Sequence, residues 1–142
     1  MKIDQDFVVG TIIYKLTEVR KDLLGYMDLF KLIFKKKQFS AHVYTLGVVN
    51  EFRGKGVAKE LLEQFKQDVA AKYNVKCVYL DCAIYNESAI KFYMKAGFSK
   101  VKYKKRYYRI FGNDYNAVEL VLFLPEYRHY NAWLANRPPE QI

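Results

Sequence analysis

The most chemically informative residues in this sequence form a short basic turn, Arg53-Gly54-Lys55-Gly56-Val57-Ala58, followed by Lys59. An apolar run ends just before it at Val49, and a stretch with helical periodicity begins at Val57. A turn that opens a helix leaves backbone N–H groups without intrahelical partners. With the positive end of the helix dipole, those groups favour an anion such as a pyrophosphate. Glycine lets the backbone approach the anion without a Cβ in the way. The spacing matches neither the phosphate loop of nucleoside triphosphatases nor the Gly-x-Gly-x-x-Gly of dinucleotide sites. On these residues alone, a basic connecting turn with no ligand stays open.

The net charge of +9 has two concentrations, at 31–37 (KLIFKKK) and 100–109 (KVKYKKRYYR). Such charge suits nucleic acid, an acidic membrane surface or a phosphate-bearing cofactor, or else a solvated surface with no partner. The basic-aromatic run 102–109 could stack on single-stranded nucleic acid. No recognisable RNA-binding pattern accompanies it, so nucleic acid is not expected as a partner. The two histidines, His42 and His129, lie far apart and no His/Cys cluster suggests a metal. Cys77 and Cys82 lie in one apolar stretch at a spacing that a single strand cannot bridge by a disulfide. A reducing compartment is therefore expected, the cytosol or the cytosolic face of a membrane.

These residues need elements to position them. The chain has 142 residues, 51% of them apolar, enough for one domain with its own core. No apolar run approaches the about 20 residues that a spanning helix requires. Residues 7–17, 26–34 and 41–49 read as strands, the third interrupted by Gly47, which suggests a bulge or a close backbone approach. Val57, Leu61, Leu62, Phe65, Val69 and Tyr73 recur at helical steps and predict a helix over 57–73. A strand at 76–84 follows, then a helix with Asn86 as N-cap and Gly97 at its end. Strands at 98–110 and 117–124 are expected to be joined by a turn at Gly112-Asn113-Asp114. The strand–helix–strand run in the middle predicts a right-handed parallel crossover that places 41–49 beside 76–84. The expected fold class is α/β, with a mixed sheet whose parallel centre is flanked by antiparallel strands.

Arg53-x-x-Gly56-x-Ala58 resembles the acetyl-CoA signature of the GNAT acetyltransferase superfamily. A second block, NESAIKFYMKAGF over 86–98, resembles that superfamily's Asn-x-x-Ala-x-x-Phe-Tyr-x-x-x-Gly-Phe. Within the superfamily, TLGVVNEFRGKG, VYLDCAIYNESAIKFY and the Tyr107-Tyr108 pair are similar to N-terminal acetyltransferases of the NatE and NatF types. LGVVNEFR and the YYRIFGNDY…VLFL ending lean towards NatF. The likeness covers about residues 7–135 and is strongest over 43–110. It implies a GNAT domain over 1–135 with a tail at 136–142, lacking the strand and two helices that usually come first.

The resemblance implies acetyl-CoA as co-substrate and no metal. Backbone groups of Leu46, Gly47 and Val48 would pair with the pantetheine arm, and a bulge at Gly47-Val48 would aim an N–H at the thioester carbonyl. Arg53, Gly54, Lys55, Gly56, Val57, Ala58 and Lys59 would hold the pyrophosphate, and Asn86 would touch pantetheine. Tyr93 would stand near the CoA sulfur as general acid. Where the relatives carry a Tyr and a His to deprotonate the amine, this sequence has His42 and Asp81. His42 as base with Asp81 orienting it would keep that chemistry in place. Tyr44, Tyr107 and Tyr108 would line the acceptor pocket. The acceptor implied is the α-amine of a protein N-terminus, or a histone or other lysine. The alternatives are a small-molecule amine acetyltransferase and a non-catalytic acetyl-CoA-binding module. The aromatic, basic tail and the NatF likeness imply peripheral membrane contact, on the cytosolic face of the Golgi.

Overall fold

In the computed structural model, residues 1–4, 7–23 and 38–141 are described. The expected strand at 26–34 and the basic run at 31–37 lie outside them. The chain divides into two compact units, Met1–Val78 and Tyr79–Ile142.

In the first unit, β1 (Lys2–Asp4) pairs antiparallel with β2 (Phe7–Glu18), and β2 with β3 (Phe39–Val48). β-branched residues dominate β2, as a pleated, half-buried surface favours. The bulge expected at Gly47-Val48 is not on the β2 side of β3: Gly47 pairs regularly with Thr11 and Val48 with Gly10. Ile13 pairs with Thr45 and Tyr14 with Val43, so the extra residue is Tyr44. Gly47 leaves the register undisturbed because the chain needs no left-handed conformation there.

After a 3-10 turn at Asn50–Phe52, α1 runs over Val57–Tyr73. Its buried residues are Val57, Leu61, Leu62, Phe65 and Val69, while Tyr73, the last member of the predicted stripe, is exposed in the final turn. Val57 and Leu61 pack on Val9 with Ile12, Leu46, Val48 and Phe52 around them. Burying each large aliphatic side chain contributes about 1.5–3 kcal/mol. Asn74, left-handed at φ 53°, ends the helix and donates its N–H to the Val69 carbonyl. β4 (Val75–Ala83) then begins, its Cys77 thiol 3.2 Å from the Ser40 hydroxyl of β3.

In the second unit, α2 covers Glu87–Lys95, and the Asn86 side chain accepts from the Ala89 N–H, as an N-cap should. Gly97 is left-handed at φ 98°, and Phe98 N–H bonds back to the Tyr93 carbonyl to close the helix. β5 (Ser99–Ile110) pairs antiparallel with β6 (Asn113–Phe123). The turn sits one residue earlier than expected, at Phe111-Gly112, with both residues left-handed. That conformation matches the twist of the strands, so Asn113 and Asp114 are released to pair with Ile110 and Arg109. β6 thus starts at Asn113 and not at 117, and its first residues, which alternate little, reveal no strand period in the sequence.

The tail holds elements that the sequence does not announce. α3 (His129–Ala135) is clamped to the end of β6 by Asn131, which both donates to and accepts from the Phe123 backbone. β7 (Glu140–Gln141) pairs parallel with β5 opposite Lys102 and Tyr103. Among the described residues no helix is long and apolar enough to cross a membrane.

Candidate active site

The turn before α1 has the geometry of an anion site. Gly54 and Gly56 are left-handed, at φ 73° and 80°, where a side chain would be strained. A Cβ built on either meets nothing within 4 Å, so the space over the turn is open. Gly56 caps α1 without a side-chain hydrogen bond, leaving the first N–H groups of Val57, Ala58 and Lys59 at the helix opening. Arg53 braces the turn by donating its Nε–H to the Val48 carbonyl at 2.9 Å. Lys55 Nζ lies 5.2 Å from the centre of the Phe52 ring, and its charge stays close to the turn. The residues present fit a pyrophosphate: donors, basic side chains and room, with no Cβ above the glycines.

Leu46, Gly47 and Val48 bond to β2 opposite Ile12, Thr11 and Gly10 and are half-buried. Further along β3, the His42 and Tyr44 rings stand 4.6 Å apart at 49°. The bulge at Tyr44 sends its ring outward, 57% exposed, while His42 is half-buried.

The second unit gathers Asp81, Tyr107 and Tyr108. Tyr107 donates its hydroxyl to Asp81 Oδ2 at 2.8 Å, and Tyr108 donates to the Asp81 carbonyl at 2.8 Å. Lys104 donates from Nζ to Asp81 Oδ1 at 2.6 Å and reaches Glu119 Oε2 at 3.0 Å. Burial pushes the Tyr108 phenol up to about 12, helped by the Asp81 charge. Burial likewise pushes Tyr93 up to about 12, with Cys82 adding to it. Tyr93 packs edge-on against Phe98 at 5.4 Å and remains a phenol throughout the neutral range. Asn86 holds the start of α2 through its side chain and accepts from Ser88. His42 and Asp81 fall in different units, each with its own neighbours.

Lys104, Glu119 and Asn116 join this cluster without having been singled out from the sequence. One signal was available: Glu119 lies alone in the apolar run AVELVLFL and is 3% exposed. A buried carboxylate needs a cation, and the basic partner strand is the nearest source. Among the described residues no group of His, Cys, Asp or Glu is arranged to hold a metal.

Comparison with known proteins agrees with this fold. Over 122 residues the chain is 33% identical to N-alpha-acetyltransferase 60 of Xenopus tropicalis, covering 82% of this chain and 49% of that one. The crystal structure of Arabidopsis thaliana NAA60 in complex with acetyl-CoA superposes with a TM-score of 0.72 at 25% identity, over 82% of this chain and 66% of that one. Chaetomium thermophilum Naa20 in complex with a bisubstrate analogue shares the fold alone, with a TM-score of 0.70 at 22% identity over 98% of this chain and 72% of that one. The chain spans about half the length of the curated relatives that it matches. Residues 3–98 match the acetyltransferase (GNAT) family, and both sequence blocks lie within that span. With its α/β fold of mixed strands, the chain belongs to the GNAT acetyltransferase family.

Proposed function

We propose that this chain transfers acetyl from acetyl-CoA to an amine, the α-amine of a protein N-terminus. The observation that carries the reading is the open glycine turn from Arg53 to Lys59 at the start of α1, with no side-chain cap, which suits the pyrophosphate of CoA. The acceptor is assigned from the relatives, which are named as N-alpha-acetyltransferases.

In this reading Leu46, Gly47 and Val48 present backbone groups to the pantetheine arm. The amine must be neutral to attack, so a base removes its proton, and His42 is assigned that role. The amine nitrogen bonds to the acetyl carbon, the C–S bond breaks and the sulfur leaves with the electron pair. Tyr93 donates a hydrogen bond to that sulfur. With its phenol near 12, it stabilises the thiolate, whose parent thiol lies near about 8.5, more readily than it gives up its proton. Tyr107 and Tyr108 line the acceptor side. The proposed setting is the cytosolic side of the Golgi, with exposed Trp133 and the Arg137 guanidinium above it, 5.1 Å from the ring centre, as the membrane-facing pair.

The test is acetyl transfer from labelled acetyl-CoA to a peptide library. Turnover on peptides beginning with Met followed by Lys or a hydrophobic residue supports the reading. Equal turnover on free polyamines with none on peptides reassigns the protein to small-molecule acceptors. Binding of acetyl-CoA with no turnover on either makes it a binding module.

A further inference from the structure

Between Lys104 and Tyr108 the β5–β6 ladder breaks. Lys104 pairs with Ala117 and Tyr108 with Tyr115, so Lys105, Arg106 and Tyr107 stand opposite Asn116 alone. Arg106 is left-handed at φ 50°, an uncommon state for a residue with a Cβ. Its N–H is taken up by Asn116 Oδ1 at 3.0 Å, while the Asn116 carbonyl accepts from Ile84 at 3.0 Å. Asn116 therefore fastens the bulge on both sides. The bulge delivers Tyr107, whose hydroxyl reaches Asp81 and whose ring stands 4.9 Å from Tyr108 at 86°.

Lys104 completes the arrangement. Its ammonium bridges Asp81 and Glu119 and lies 4.8 Å from the centre of the Tyr107 ring. Burial by itself would lower the Lys104 pKa, but the hydrogen bonds to the two carboxylates outweigh it and hold it above its ordinary value. Both carboxylate side chains are only 4% exposed, so neither finds its charge balance in water.

We propose that Lys104 and Asn116 are positioning residues for the acceptor side of the site. Lys104 holds the Asp81 carboxylate, Asp81 holds the Tyr107 hydroxyl, and Asn116 holds the bulge that brings Tyr107 there. The inference deepens the acetyltransferase reading and rests on the acceptor-lining role that it gives to Tyr107 and Tyr108. A lysine serving only to neutralise Glu119 would alter stability without altering the Tyr107 environment.

The experiment uses the full chain labelled with fluorotyrosine, the Tyr107 resonance being assigned by Tyr107→Phe. In Lys104→Met the resonance moves towards that of an exposed tyrosine, and Lys104→Arg returns it. In the transfer assay, Lys104→Met raises the KM for a Met-initiated peptide about 10-fold or more, leaving kcat and the KM for acetyl-CoA nearly unchanged. Asn116→Ala does the same with the ion cluster intact. If Lys104→Met does not fold, Lys104→Met with Glu119→Gln removes one buried charge and gives the same readout. An unmoved Tyr107 resonance in a folded Lys104→Met chain overturns the proposal, as does a parallel loss in kcat and both KM values. If the unsubstituted chain acetylates no peptide but the resonance moves as stated, the acetyltransferase reading falls and the positioning of Tyr107 stands.

Discussion

Gly10 of β2 lies so close under α1 that a Cβ on it would stand 2.7 Å from Leu61 Cδ1. The same atom would be 3.2 Å from the Gly47 carbonyl oxygen and 3.2 Å from Val57 Cγ1. Three parts of the proposed CoA site thus meet at one glycine: β3, the start of α1 and the strand beneath them. Gly10→Ala should destabilise the protein by about 1–3 kcal/mol, because the crowded neighbours include backbone that cannot yield as Leu61 can. Urea unfolding measures it, and the double variant Gly10→Ala/Leu61→Ala should show a coupling of about 0.5 kcal/mol or more. Additive losses would mean that the two residues do not share this space.

Acetyl-CoA should raise the melting temperature through the turn at Arg53 to Lys59. A ligand that binds only the folded state stabilises it by about 2.7 kcal/mol at a hundredfold excess over Kd. Gly56→Glu should abolish the shift, since its carboxylate would enter the space over the turn. Its left-handed backbone also costs about 1–2 kcal/mol with a side chain. Gly56→Asn separates the two effects, because Asn tolerates that conformation and carries no charge; it should retain part of the shift. No shift with the unsubstituted chain at millimolar acetyl-CoA would remove the cofactor assignment.

His42→Ala should lower kcat by about 10²- to 10⁴-fold, the range for loss of a general base. Acetyl-CoA affinity should stay nearly the same, as the turn is separate in sequence from His42. Full activity of His42→Ala would eliminate the base assignment and leave the turn unaffected.

Tyr93 should make the protein sensitive to alkali. Its folded pKa of about 12 stands above the unfolded value of about 10. Below pH 10 both states hold the proton and the group leaves stability unchanged. Between the two values only the unfolded state loses it, so stability falls with rising pH, by on the order of 2 kcal/mol across the window. Tyr93→Phe should flatten that decline between about pH 10 and 12 relative to the unsubstituted chain, by denaturant titration at fixed pH values. Tyr108, raised for the same reason but half-exposed, should contribute in the same direction with a smaller effect. Parallel curves for Tyr93→Phe and the unsubstituted chain would contradict the burial of this phenol.

The amino-acid order alone determined the features that arise within a few residues of one another. The α1 stripe, the Asn86 cap and the glycine turn were all legible, because a helical period, a cap and a left-handed glycine each act over one turn of chain. The site was legible only where it is local: Gly54, Gly56 and Asn86 stand where their neighbours in sequence put them. The bulge at Tyr44 and the hairpin turn at Phe111-Gly112 depended on strand register, which partner strands set and a single strand does not reveal. The ion cluster lies further from reach, since Asp81 and Lys104 are 23 residues apart and Glu119 sits on a third strand. Nothing local requires that Lys104 face inward among five neighbouring basic residues; two buried carboxylates choose it, because only a cation at that place can offset their loss of water. The chemistry of the proposed acceptor side was thus written in the residue types, and its geometry was decided by the pairing of β5 with β6.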